Sequence, residues 1–166
     1  MTKQLNEDKK FMEIALEEAQ KALSIGEVPV GAVLVQDGNI ISRGHNQREW
    51  QQNPTAHAEL VVIQEAAEKL RSWRLIDTTL YVTLEPCLMC AGAMLQARIP
   101  RLVLGVLDPK TGACGSLYTI HKDSRLNHQI DIIHGIKEEA CRNILKDFFQ
   151  QLRKNQPLPM TKCKEQ

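Results

Sequence analysis

Long apolar runs are missing from this chain. The longest, Val30 to Val35, falls far short of the ~18 residues that a membrane span needs. The opening MTKQLNEDKK carries no apolar run behind its charges, so no secretory signal is expected. Internal repeats, low-complexity tracts and interdomain linkers are absent from the sequence as well. Charge of one sign is scarce: 21 Lys and Arg against 20 Asp and Glu leave +1, which argues against a broad surface for coating nucleic acid. The expected compartment is therefore the cytoplasm, where thiols stay reduced and few disulfides persist.

What remains is an ordinary globular composition, 43% apolar and 25% charged over 166 residues. That length suits one domain able to bury roughly 70% of its unfolded surface in a single core. The expected domain covers residues 1–154, and residues 155–166, with Pro157 and Pro159, are expected to form a flexible tail.

Hydrophobic periodicity supplies the elements. Residues 7–23 place Phe11, Ala15, Ala19, Ala22 and Leu23 on one helical face. Val30–Val35 reads as a buried strand, Asp37-Gly38 as a hairpin turn and Asn39–Arg43 as the returning strand. Pro54 suits a first helical turn, with Ala56–Leu70 as the helix that follows. Thr79–Thr83 is a strand, Cys87–Ala97 a helix, Arg101–Leu107 a strand, Ile130–Ile133 a short strand and Lys137–Arg153 a last helix. The polar connection 108–128 is long enough to suggest function. After the hairpin, helices alternate with strands, which points to a three-layer α/β/α sandwich around a mixed sheet of about five strands.

The five cysteines raise the chemical question, because Cys87 and Cys90 stand three apart in EPCLMC. A disulfide, a redox dithiol and half of a metal site are all open from those six letters. An odd cysteine count and a reducing compartment disfavour the disulfide. His57-Ala58-Glu59 sits at the start of one expected helix, and Cys87 and Cys90 at the start of the next. A helix N-terminus favours anions and lowers thiol pKa values, so both cysteines are placed to be thiolates. If each helix follows a strand of one sheet, the two starts meet at its carboxyl edge. One imidazole and two thiolates suit zinc and leave a fourth position for water, with Glu59 reaching over the ion without ligating it. A histidine, one residue, then a glutamate, followed by Pro-Cys-x-x-Cys, is the signature of zinc nucleobase deaminases.

The sequence resembles the bacterial tRNA-specific adenosine deaminases, the TadA family, within the cytidine-deaminase-like superfamily. The resemblance runs from about Met12 to Arg153 and is carried by GEVPVGAVLV, NPTAHAE, LYVTLEPCLMCAGAM, DPKTGACGSL and the closing NHQ and DFF stretches. It implies that His57, Cys87 and Cys90 hold one Zn2+ per chain, that Glu59 shuttles protons, and that Asn46 contacts the flipped nucleoside. It implies, further, deamination of the wobble adenosine of a tRNA anticodon to inosine, and a homodimer built through helices such as the one bearing Met94-Leu95. His45 and Cys114 depart from the family pattern, near the expected substrate mouth.

Asp108, in DPKTGACGSL, belongs to the substrate-binding set. Arg153 and Lys154 suit phosphates and Phe149 a stacking face, while one of the adjacent Phe148 and Phe149 belongs to the core. Lys110 suits the RNA backbone, against the plainer reading of a solvated loop lysine. His121, His128 and His134 read as surface or hydrogen-bonded groups, Cys141 as a small core residue and Cys163 as part of the tail. The rival functions are a deaminase of free bases such as guanine or cytosine, a zinc-stabilised RNA-binding module without catalysis, and a thiol oxidoreductase. Glu59 speaks against the second, and activity without metal would mark the third.

Overall fold

The computed structural model describes residues 2–155. Helix α1 spans Thr2–Ser24, and strands β1 (Gly31–Gln36) and β2 (Asn39–His45) form a hairpin. Its turn has positive φ at both Asp37 and Gly38, the conformation that lets a two-residue turn match the twist of its strands. Then follow α2 (Arg48–Gln51), α3 (Ala58–Leu70), β3 (Thr78–Leu84), α4 (Leu88–Gln96), β4 (Arg101–Val106), a 3-10 turn at Ile120–Lys122, β5 (Asp131–His134) and α5 (Glu138–Asn155).

The five strands lie in the order β2-β1-β3-β4-β5. β1 is antiparallel to both β2 and β3, whereas β3–β4 and β4–β5 pair in parallel. Strands β2, β3, β4 and β5 therefore share one direction, and their carboxyl ends share one edge. The mixed five-strand sheet with helices on both faces is the architecture that the alternating pattern implies.

Side-chain alternation divides the core into two layers, because successive strand residues point to opposite faces. Ala32, Leu34, Leu80, Val82, Leu102 and Leu104 pack with Ala58, Val62 and Ala66 of α3 and Ala91 and Met94 of α4. Val33, Val35, Tyr81 and Val103 face the other way, onto Phe11, Met12 and Ala15 of α1 and Cys141 of α5. Gly31 makes the second layer possible: a Cβ there would lie 1.9 Å from the Ala15 carbonyl oxygen, so α1 could not approach β1 so closely. Phe148 is buried and Phe149 exposed, which settles which of the pair is core.

One helix start differs from the sequence reading. Pro54 lies in a turn rather than a first helical turn, and α3 begins only at Ala58. Asn53 is the reason. Its Oδ1 accepts from both the backbone N–H and the hydroxyl of Thr55, at 3.0 and 2.8 Å, so an Asx turn captures the donors a helix would leave free. His121 also departs from the expected surface or hydrogen-bonded role, being buried with its Nδ1 unpartnered. His134 is exposed, and His128 Nε2 lies 2.7 Å from the Ile99 carbonyl oxygen. Cys163 and most of the expected tail fall outside the described residues.

Candidate active site

The carboxyl edge of the sheet gathers the candidate residues. β2 ends at His45 and hands the chain to Asn46, β3 ends at Leu84 and leads through Glu85-Pro86 to Cys87, and β4 ends at Val106 just before Asp108. α3 and α4 both start at this edge.

The two helix starts share one device. His57 is the N-cap of α3 (φ −77°, ψ 150°) and Cys87 the N-cap of α4 (φ −73°, ψ 175°), both in extended backbone. A Ser, Thr, Asp or Asn here would fold its oxygen back onto the first turn. Neither His57 nor Cys87 makes a side-chain cap hydrogen bond, so both side chains are free to face each other. The extended backbone at His57 also explains how it shares a site with Glu59 two residues on, since only Glu59 lies within the helix.

His57 Nδ1 is 3.7 Å from Cys87 Sγ and 3.6 Å from Cys90 Sγ. All three donor atoms lie within 4.8 Å of one another. Tetrahedral bonds of ~2.3 Å to sulfur and ~2.0–2.1 Å to nitrogen place such donors roughly 3.6 Å apart. The group can therefore hold a metal ion with little rearrangement, and its donor set suits zinc. Cys87, Cys90, Cys114 and Cys141 are free thiols, so the disulfide reading fails.

Electrostatics within the group follow from sharing. A hydrogen bond from the neighbouring Cys90, helped by His57, draws the Cys87 thiol down to about 4. The same contact with Cys87, together with burial, pushes the Cys90 thiol up. His57 is raised, chiefly by its hydrogen bond to Cys87. Glu59 is 4% exposed, and burial pushes its carboxyl up to about 7. A carboxyl balanced near neutrality both accepts and releases a proton at working pH.

A cavity of about 120 Å³ opens over the group, lined by His57, Glu59, Cys87, Asn46, Arg48, Asp108 and Thr111 among others. A groove of about 680 Å³ adjoins it, sharing Val28, Leu84, Asp108 and Thr111. Lys110, Phe149 and Arg153 line this groove, together with Arg142 and Lys146. Asn46, Asp108, Lys110, Phe149 and Arg153 thus lie at the cavity or the groove, whereas Lys154 lines neither. His45 and Cys114 line neither: His45 Nδ1 pairs with Glu18 at 3.0 Å, and Cys114 is buried. Sequence reasoning missed Arg48 and Thr111, and it gave Glu85 no role of its own.

Sheet order, helix placement and the His-Cys-Cys group beside a buried carboxylate define a deaminase of the cytidine-deaminase-like fold. The MafB19-like deaminase family model matches residues 6–153. A tRNA-specific adenosine deaminase from Bacillus subtilis (strain 168) is 49% identical, over 90% of this chain and 93% of its own. A solved structure from studies of A-to-I editing by tRNA:A34 deaminases at the wobble position of transfer RNA superposes with a TM-score of 0.79. It is 46% identical and covers 82% of this chain and 99% of that one. The guanine deaminase from Nitrosomonas europaea is 22% identical with a TM-score of 0.71, over 84% of this chain and 83% of its own, and shares the fold. The chain belongs to the family of bacterial tRNA-specific adenosine deaminases, within the MafB19-like deaminases.

Proposed function

We propose that this protein hydrolyses adenosine to inosine at the wobble position of a tRNA anticodon, with zinc held by His57, Cys87 and Cys90. The observation that carries this reading is the donor triangle with Glu59 buried beside it, at a cavity continuous with a basic groove. Zinc in such a site supplies a Lewis acid that makes hydroxide available near neutral pH.

The chain's own residues do the rest. Glu59 takes a proton from the attacking water as oxygen adds to C6 of adenine. It passes that proton to the ring nitrogen, then assists protonation of the departing amine, so water and adenosine become inosine and ammonia. One carboxylate serves as base and then acid, which requires that it stay off the metal. Asn46 and Asp108 line the walls against which the base is held. A base enters such a space only by leaving its stack, and bases of a loop lose least in doing so.

Lys110, Arg142, Lys146 and Arg153 meet the phosphates flanking the flipped nucleotide, and Phe149, 42% exposed, offers a stacking face. Leu88 and Met89 of α4 are exposed apolar groups, which supports a homodimer assembled through that helix. Work in the cytoplasm accords with a chain in which no described helix is long and apolar enough to cross a membrane. The alternative, a deaminase of free guanine or cytosine, has no use for the basic groove. Inosine formation in an anticodon stem-loop, assayed beside free adenosine, guanine and cytosine, separates the two: turnover of the stem-loop alone is expected. Turnover of a free base but not of the stem-loop would replace this reading with the alternative.

A further inference from the structure

We propose that Glu85 is a positioning residue that seats the loop carrying Asp108 and Thr111 against the turn that carries Cys87. Its side chain is 2% exposed, and it stands between the end of β3 and the start of α4. An ionised carboxylate has about four acceptor sites. Here all four are taken by one loop. Oε2 accepts from the Asp108 backbone N–H at 2.8 Å and from the Ser116 hydroxyl. Oε1 accepts from the backbone N–H groups of Cys114 and Ser116, each at 2.9 Å.

These bonds matter because the segment 107–119 belongs to no helix or strand of the sheet, and backbone bonds such as Gly112 N–H to the Asp108 carbonyl (2.9 Å) and Leu117 N–H to the Gly112 carbonyl (3.0 Å) close turns within it rather than tie it to the sheet. Its remaining anchors reach the same turn: Ala113 N–H donates to the Pro86 carbonyl at 2.9 Å, and Gly112 forms an isolated bridge with Cys87. Gly112 lies against the carboxyl group so closely that a Cβ there would stand 2.3 Å from Glu85 Cδ and Oε2. Asp108 and Thr111, the loop residues that line both the cavity and the groove, are thereby set in place before any substrate arrives. Preorganisation of this kind reduces the ordering that binding would otherwise require.

The inference rests on the deaminase reading for its kinetic readout, and one measurement is independent of that reading. E85Q keeps the side chain's size but turns a donor toward the Asp108 N–H. Losing hydrogen bonds to a charged acceptor raises KM for the anticodon stem-loop by about tenfold or more. Turnover at saturation stays within about threefold and zinc content is unchanged, a split that mere loss of folded protein does not produce. Amide hydrogen exchange, read without substrate, quickens at Asp108, Cys114 and Ser116 while α3 and α4 keep their protection. G112A drives its Cβ into the carboxyl group and raises KM similarly, whereas E85A/G112A, with that space vacated, stays within about threefold of E85A.

KM unchanged in E85Q with unaltered loop exchange overturns the proposal, as does full additivity in E85A/G112A. Loss of zinc from E85Q assigns Glu85 to the metal turn instead. Unfolding of both E85Q and G112A shows that the contact holds the fold rather than the loop. A wild-type protein inactive on the stem-loop refutes the deaminase reading and leaves the exchange measurement to decide this one.

Discussion

Two buried polar clusters share this molecule and are built on opposite logic. In the first, Asp8 of α1 accepts from Tyr81 Oη at 2.9 Å and from the Arg101 guanidinium at 3.0 and 2.8 Å, tying α1 to β3 and β4. Burial alone would raise the Asp8 carboxyl, but hydrogen bonds from Arg101, Gln4 and Tyr81 outweigh it and hold the group below its usual range. Every acceptor is matched, and no described cavity is lined by Asp8. In the second cluster, burial wins at Glu59 and lifts its carboxyl to about 7, while two thiols and an imidazole crowd around a common point. A satisfied cluster fixes structure. A crowded one beside a cavity retains capacity for an ion and a reacting molecule.

The comparison is broken most severely at the second cluster. His57→Ala leaves two thiols without their third donor and is expected to abolish metal binding and to lower activity by more than about 10⁴-fold, with Tm little changed apart from the lost metal. Metal analysis and inosine assay check both halves. Zinc retained at full stoichiometry would mean that the ligand set is wrong.

The first cluster answers differently. Asp8→Asn leaves Arg101 without its counter-charge and costs about 3 kcal/mol of stability, the low end for a buried pair because Arg101 keeps some solvent contact. Activity of the folded fraction is unchanged. The sign with pH follows from a depressed folded pKa: the contribution of Asp8 is complete above its unfolded value of 3.8 and fades as pH falls through the lower folded value. The stability gap between Asp8→Asn and wild type therefore closes in acid. Urea titrations at pH 7 and pH 3 measure it, and a gap that widened in acid would reverse the assignment. A smaller effect is expected at the groove, where Phe149→Ala loses one stacking face. It raises KM for the stem-loop by roughly 1–3 kcal/mol equivalent, about five- to 150-fold, without moving kcat.

The alternation of strands and helices made the sandwich legible, because strands buried on both faces read as short, nearly unbroken apolar or β-branched runs, as residues 30–35, 79–83 and 101–107 do. The donor set was legible for a different reason: His, Cys and Cys at two helix starts have few other uses together. How His57 and Glu59 share a site was not, since that depends on His57 standing outside the helix in extended backbone. Pro54 misled because the Asn53 turn competes locally with the helix. Glu85 escaped notice because three of its four partners are backbone N–H groups, which no side-chain letter announces. Arg142 and Lys146 joined the groove only through the packing of α5 over β4, a tertiary fact with no local signal.

The most direct test sets wild type beside Glu59→Ala, measuring zinc per chain and inosine formed in the anticodon stem-loop in the same preparations. One zinc per chain in both proteins, with turnover lost by at least about 10²- to 10⁴-fold in the variant, is the expected result. Undiminished inosine formation by Glu59→Ala, or a wild-type protein that edits the stem-loop with its zinc removed, would contradict the account.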